Sequence, residues 1–182
     1  MNSFANAIDF ELQDGRIIEI GLTLISLQDM KLSNSYSIPI WDKDFPVEVR
    51  KEITQLTGWN SNKLKKQGVP LKEACYRLRD KFGARNRLAI VDCANELSCI
   101  DSSFMDMGIF DTYGLNPFGE YLNVSTLYNL KYENFGKGVS LLRMLDDQGL
   151  EFEGREHSAK DDSLNIARLF LSFYGKACVN IR

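Results

Sequence analysis

The sequence predicts an α/β fold in which a mixed sheet is covered by helices. Two observations carry this. Three apolar runs open the chain, at 5–10, 16–25 and 32–40, and read as an antiparallel meander. Downstream, two short strand-like runs at 87–91 and 120–124 alternate with helical patterns at 46–56, 70–82, 96–107, 139–147 and 158–174. Hairpin strands followed by alternating strands and helices imply a mixed sheet rather than a bundle or sandwich.

Each element has a local reason. Gln13-Asp14-Gly15 between the first two runs marks a tight turn. Pro39 and the segment 41–46 end the third run. Pro46 and Pro70 suit a first helical turn. Leu71, Ala74, Cys75, Leu78 and Phe82 recur at helical spacing. Gly149 closes the helix at 139–147. There is no repeat, linker or low-complexity stretch, so residues 1–182 are read as one domain.

Composition narrows the function classes. Hydrophobic residues at 44% and charged residues at 26% exclude a disordered or fibrous chain. The net charge of −3 excludes a broadly basic nucleic-acid coat, but leaves a local basic groove or phosphate-recruiting metal ions open. Cys75, Cys93, Cys99 and Cys178 lack zinc spacing and read as reduced, mostly buried thiols of a cytoplasmic protein. No signal peptide or membrane-length apolar run is seen, so no membrane partner is expected.

Three features carry chemistry. Asp9 and Glu11 are two apart, so in a strand they share a face at the end of an apolar run. Two carboxylates placed so repel unless a cation lies between them, and hard divalent cations take carboxylate oxygen. If the strand ends at Ile8, both are simply solvated. Asp162 shares a helical stripe with Ile166, Leu169 and Phe173, whereas Asp161 is turned about 100° away. Attraction of either acid to the helix N-terminus is the plain alternative, and it does not favour the core-facing one. His157, the one histidine, falls five residues before Asp162. A lone histidine is commonly incidental, yet acids gathered around metal need a base of near-neutral pKa to deprotonate water. Together these residues fit phosphodiester hydrolysis with two metal ions about 4 Å apart.

Asp9-Phe10-Glu11, RIIEIG at 16–21, ITQLTG at 53–58 and GLEFEGREHSAKDDSLNIARLF at 149–170 resemble the DEDDh (DnaQ-like) 3′-to-5′ exonucleases. The C-terminal string is most similar to the Eri-type RNA-trimming branch. The resemblance covers about residues 5–174 and implies an RNase H-like fold with a mixed five-stranded sheet flanked by helices. It implies hydrolysis from the 3′ end of RNA or single-stranded DNA to nucleoside 5′-monophosphates, with two Mg2+ or Mn2+ ions. By resemblance, Asp9 bridges the ions, Glu11 holds the one nearer the nucleophile, Asp162 is the last ligand and His157 is the general base. Leu12 matches a position whose backbone meets the terminal 3′-hydroxyl. Trp59 lies where an apolar residue meets the terminal base, and packing in a loop is its equal alternative. RNA 3′ ends are favoured slightly over DNA, and a protein partner is left open.

One motif departs from the family. An aspartate is expected after the fourth strand, and the alignment puts Glu96 there, with Asp92 and Asp101 as fallback ligands. Glutamate keeps the charge with one more methylene. A catalytically weakened module that binds 3′ ends, or a subunit dependent on a partner, is the competing expectation.

Overall fold

The computed structural model describes residues 4–93, 96–112, 114–134 and 138–179, with side chains described through 175. Cys178 and most of the glycine-rich segment at 135–138 therefore lie outside the described side chains. Five strands form one sheet: β1 (Phe4–Gln13), β2 (Arg16–Ser26), β3 (Lys31–Pro39), β4 (Leu88–Val91) and β5 (Tyr121–Asn123). Their order is β3-β2-β1-β4-β5, antiparallel through β1–β2–β3 and parallel from β1 to β4 to β5. The helices are α1 (Lys51–Thr57), α2 (Ser61–Gln67), α3 (Leu71–Asp80), α4 (Ser98–Asp106), α5 (Val124–Tyr132), α6 (Leu141–Asp146) and α7 (Ala159–Val179), with a 3-10 turn at Ala84–Asn86.

The β1–β2 turn forms because Asp14 and Gly15 both take positive φ, 52° and 81°, which matches the strand twist. Strand alternation then sorts β1 into two faces. Ile8 and Phe10 join the core under α3 and α4. Ala5 and Ala7 join the core under α5, α6 and α7. Asp9 and Glu11 continue the second set, so they point toward α7.

The first turn of α7 lies against β2 at Gly21, which pairs with Asp9. A Cβ at Gly21 would stand 1.7 Å from the Ala159 carbonyl oxygen, so only glycine admits the helix. Glu19, buried two residues earlier, accepts the Ala159 N–H at 3.2 Å and the Ser37 hydroxyl at 2.5 Å. Thr23 links Ser163 of α7 (3.0 Å) to Ser35 of β3 (2.8 Å). These buried polar bonds fix the start of α7 over β2 and β3.

Three readings of the sequence are corrected. The helix expected over 46–56 begins at Lys51. Gln13 donates to the Glu48 carbonyl (2.8 Å) and accepts the Arg50 N–H (2.9 Å), while Ser61 accepts the Val49 N–H (2.9 Å). Those bonds hold 48–50 extended. Helices α2 and α5 were not expected; they are capped by Asn60 and Asn123 and bury Leu64, and Val124 with Tyr128. The helix expected from 96 starts at Ser98, leaving Glu96 in the preceding turn.

Gly21→Ala should destabilise the protein by about 1–3 kcal/mol or more, because the neighbour is backbone and cannot rotate away. Urea unfolding measures this; an unchanged midpoint would show that α7 does not depend on the contact.

Candidate metal centre and active site

One carboxylate oxygen from each of Asp9, Glu11 and Asp162 lies within 4.8 Å of the others. β1 supplies the first two, and the first turn of α7 supplies the third. Burial pushes Glu11 up to about 7, with Asp162 and Glu19 adding repulsion and Arg155 opposing it. Burial also pushes Asp162 up to about 7; Asp92, Asp161 and Glu156 add to this, while a hydrogen bond from the His157 backbone counters it. Asp9 is raised well above the usual carboxylate range, by burial first and then by Asp162, Glu11 and Asp92.

A second group adjoins the first. Asp92, Cys93 and Glu96, between β4 and α4, bring one ligand atom each to within 4.8 Å of one another. Burial, then Asp9 and Asp92, raises Glu96. Burial is also the main cause at Asp92. Glu96, kept protonated by its surroundings, adjoins Asp9 and Asp92 closely enough to share a proton with them. Its Oε2 atom is buried with no hydrogen-bond partner. A buried unsatisfied carboxylate oxygen is costly, and a bound ion is one way of satisfying it. Five clustered carboxylates and an orphaned oxygen are a donor set that suits hard divalent cations. Asp101 instead accepts a hydrogen bond from Asn116 (3.1 Å) and lies in neither group.

His157 reaches this centre from a clamped loop. Asn165, buried on α7, accepts the Glu153 N–H (3.0 Å) and donates to the Glu153 and Asp161 carbonyls, both at 2.8 Å. Arg168 pairs with Glu153 at 2.9 Å and donates to the Glu151 carbonyl at 2.6 Å. Asp161 accepts the Arg155 N–H at 3.0 Å. Gly154 has φ 90°, and a Cβ there would meet Asp161 at 2.6 Å, so the loop requires glycine. Arg155 also donates to the Thr57 carbonyl, tying the loop to the end of α1.

His157 is exposed and has φ 60°. It shares a cavity of about 310 Å³ with Asp9, Glu11, Asp92, Asp162 and Phe152. A neighbouring cavity of about 350 Å³ is lined by half-buried Trp59 with Gly58, Lys63, Arg155, Lys160 and Glu19. Lys63 donates to the Gly58 carbonyl at 2.9 Å. Leu12 follows Glu11 across a register shift in the β1–β2 pairing, and its side chain packs partly on the core.

Cys75 is buried, and burial pushes its thiol up to about 12. Cys93 is exposed, contrary to the expectation of buried thiols, because it sits in the turn just past β4. Its place beside Asp92 and Glu96 was missed from sequence; the D-C-x-x-E spacing was the available signal. No described helix is long and apolar enough to cross a membrane.

The sheet order and flanking helices are those of the RNase H-like DEDDh exonuclease fold. The chain matches the nuclease domain of 3′hExo, a DEDDh family member bound to rAMP, with TM-score 0.77, 19% identity and coverage of 97% of this chain and 94% of that one. It matches cell-death related nuclease 4 (CRN-4) with TM-score 0.76, 16% identity and coverage of 96% and 64%. In sequence it is 27% identical over 199 residues to ERI1 exoribonuclease 2 of Xenopus laevis, and 26% over 201 residues to that of Homo sapiens. Each alignment spans 94% of this chain but 28% of the relative's length. No protein-family model matches. The chain is thus similar in sequence to ERI1 exoribonuclease 2 and shares the fold of the DEDDh exonucleases.

The raised carboxylates set a sign for pH dependence. Without metal, the folded protein holds protons on Glu11 and Asp162 that the unfolded chain releases from about pH 4 upward. Stability should therefore fall as pH rises from about 4 through 7, with Asp9 and Glu96, raised further, carrying the fall on. Asp162→Asn should flatten that fall. Divalent metal binds the deprotonated acids and should restore stability above pH 7. Thermal unfolding in EDTA and in Mn2+ at either end of the window measures both; a melting temperature at high pH unmoved by metal would show that these acids hold no ion.

Proposed function

We propose that this chain is a divalent-metal-dependent 3′-to-5′ exonuclease acting on RNA 3′ ends, with single-stranded DNA as a second substrate. The observation that carries it is the convergence of Asp9, Glu11 and Asp162 beside His157 in one cavity. The exoribonuclease names of the curated relatives favour RNA.

Asp9, Glu11 and Asp162 would hold Mg2+ or Mn2+, with Glu96 and Asp92 completing the set for two ions. Bound divalent ions supply neutralisation of the scissile phosphate, acidification of the attacking water and stabilisation of the leaving oxygen. His157 takes the proton of that water, its clamped loop holding the ring at the cavity where the phosphate is attacked. The Leu12 backbone would meet the terminal 3′-hydroxyl, and Trp59 would stack on the terminal base. The lysines and Arg155 beside Trp59 offer positive charge to the departing nucleotide. The product is a nucleoside 5′-monophosphate.

Glu96 supports a second reading, a fold that binds 3′ ends without cleaving them. A gel time course with 5′-labelled RNA and DNA in Mg2+, Mn2+ and EDTA separates the two. The enzyme gives a metal-dependent ladder shortening from the 3′ end; intact substrate with retained gel shift gives the binding module.

Asp9→Ala and Asp162→Asn should abolish hydrolysis with the fold retained, and His157→Ala should slow it about 10²–10⁴-fold. Full activity in purified Asp9→Ala would refute the assignment. Trp59→Ala should weaken substrate binding by about 1–3 kcal/mol if the ring stacks on a base. Fluorescence anisotropy with a labelled single strand measures it, and unchanged affinity would leave Trp59 a packing residue.

A further inference from the structure

We propose that Cys93 is a thiolate ligand in the metal centre, joining Asp92 and Glu96 around one of its ions. This rests on the reading of the chain as a metal-dependent exonuclease and adds a donor of a different kind.

Three independent features point to it. The sulfur of Cys93 and one oxygen each of Asp92 and Glu96 lie within 4.8 Å of one another, a spread that a single ion can span. The Glu96 Oε2 atom is buried and has no protein partner, so an acceptor is left for a ligand to satisfy. Cys93 is exposed, whereas Cys75 is buried and Cys99 half-buried, so among the described cysteines it is the one open to an ion arriving from solvent.

The two acidic groups are adjacent but unlike. Asp9, Glu11 and Asp162 offer oxygen alone, which suits Mg2+ or Mn2+. Asp92, Glu96 and Cys93 offer two oxygens and one sulfur. Thiolate favours softer or borderline ions such as Zn2+, Co2+ or Cd2+, and Mg2+ gains little from it. Glu96 adjoins Asp9, so the two ions would share one carboxylate-lined wall. The centre would then be asymmetric, with one all-oxygen position and one position selective for a thiophilic metal.

The test is optical. The EDTA-stripped 182-residue chain is titrated with Co2+, and sulfur-to-cobalt charge-transfer absorption is followed in the near ultraviolet. The wild type should show the band, Cys93→Ser should lose it, and Cys99→Ser should keep it. Glu96→Gln and Asp92→Asn should weaken it, because they share the ion. The Cd2+ dissociation constant should rise about tenfold in Cys93→Ser, with Mg2+ affinity changed by less than about twofold. Circular dichroism checks that each variant is folded.

A wild type that binds Co2+ without the band overturns the proposal, as does a band that survives Cys93→Ser. A band lost in Cys93→Ser but unmoved in both carboxylate variants marks a lone surface thiol and also overturns it. Trimming of RNA in Mg2+ by the wild type is scored in parallel. Trimming without the band removes the thiolate ligand alone, whereas the band without trimming removes the exonuclease reading and leaves the metal site.

Discussion

The approach of α7 to β2 at Gly21 is the constraint on which the rest depends. Backbone meets backbone there, so the helix cannot be moved by a rotamer change. Gly21 pairs with Asp9, and Asp162 follows Ala159 by less than one helical turn. The same contact therefore closes the core and brings the third carboxylate to the first two. Glu19 secures it from the sheet side by accepting the Ala159 N–H. A glutamate buried in a strand would otherwise be a liability, and here it anchors the helix.

That arrangement is electrostatically unfavourable without metal. Burial raises Asp9, Glu11, Asp92, Glu96 and Asp162 alike, neighbouring carboxylates add to it at all of them but Asp92, and Arg155 is the cation that opposes it at Glu11. The surrounding fold has to hold the acids in place against their own repulsion. It does so with neutral bonds from the backbone and from Asn165, Thr23 and Ser163, which do not quench the negative charge. A cation paired with Asp9 would instead have neutralised the charge that the proposed ions need.

Legibility in the sequence followed the range of the forces involved. The opening strands were legible because apolar alternation and the Asp14-Gly15 turn act locally. The grouping of Asp9 with Glu11 follows from strand period two. The extended segment 48–50 was not legible, since it depends on Gln13 from another strand. Helix α2 is short, and α5 starts at Val124 inside the run read as a strand, so only their asparagine caps announce them. The clamp on the His157 loop could be seen as a string of polar residues, but not as a device. Its logic lies in contacts between Asn165 and Glu153, twelve residues apart.

The glutamate at 96 follows from where its backbone lies. The fourth strand ends at Val91, and α4 begins at Ser98, so residue 96 stands in the turn and not on the helix. From there its carboxylate still meets Asp9, with Asp92 alongside. Asp92 at the strand end then adds a second acid at that position, and Cys93 follows it directly. The place of the expected aspartate is thus filled by two acids, Asp92 and Glu96, which keep its negative charge. Glu96 Oε2 stays buried there without a hydrogen-bond partner among the described residues, an oxygen that a cation would satisfy.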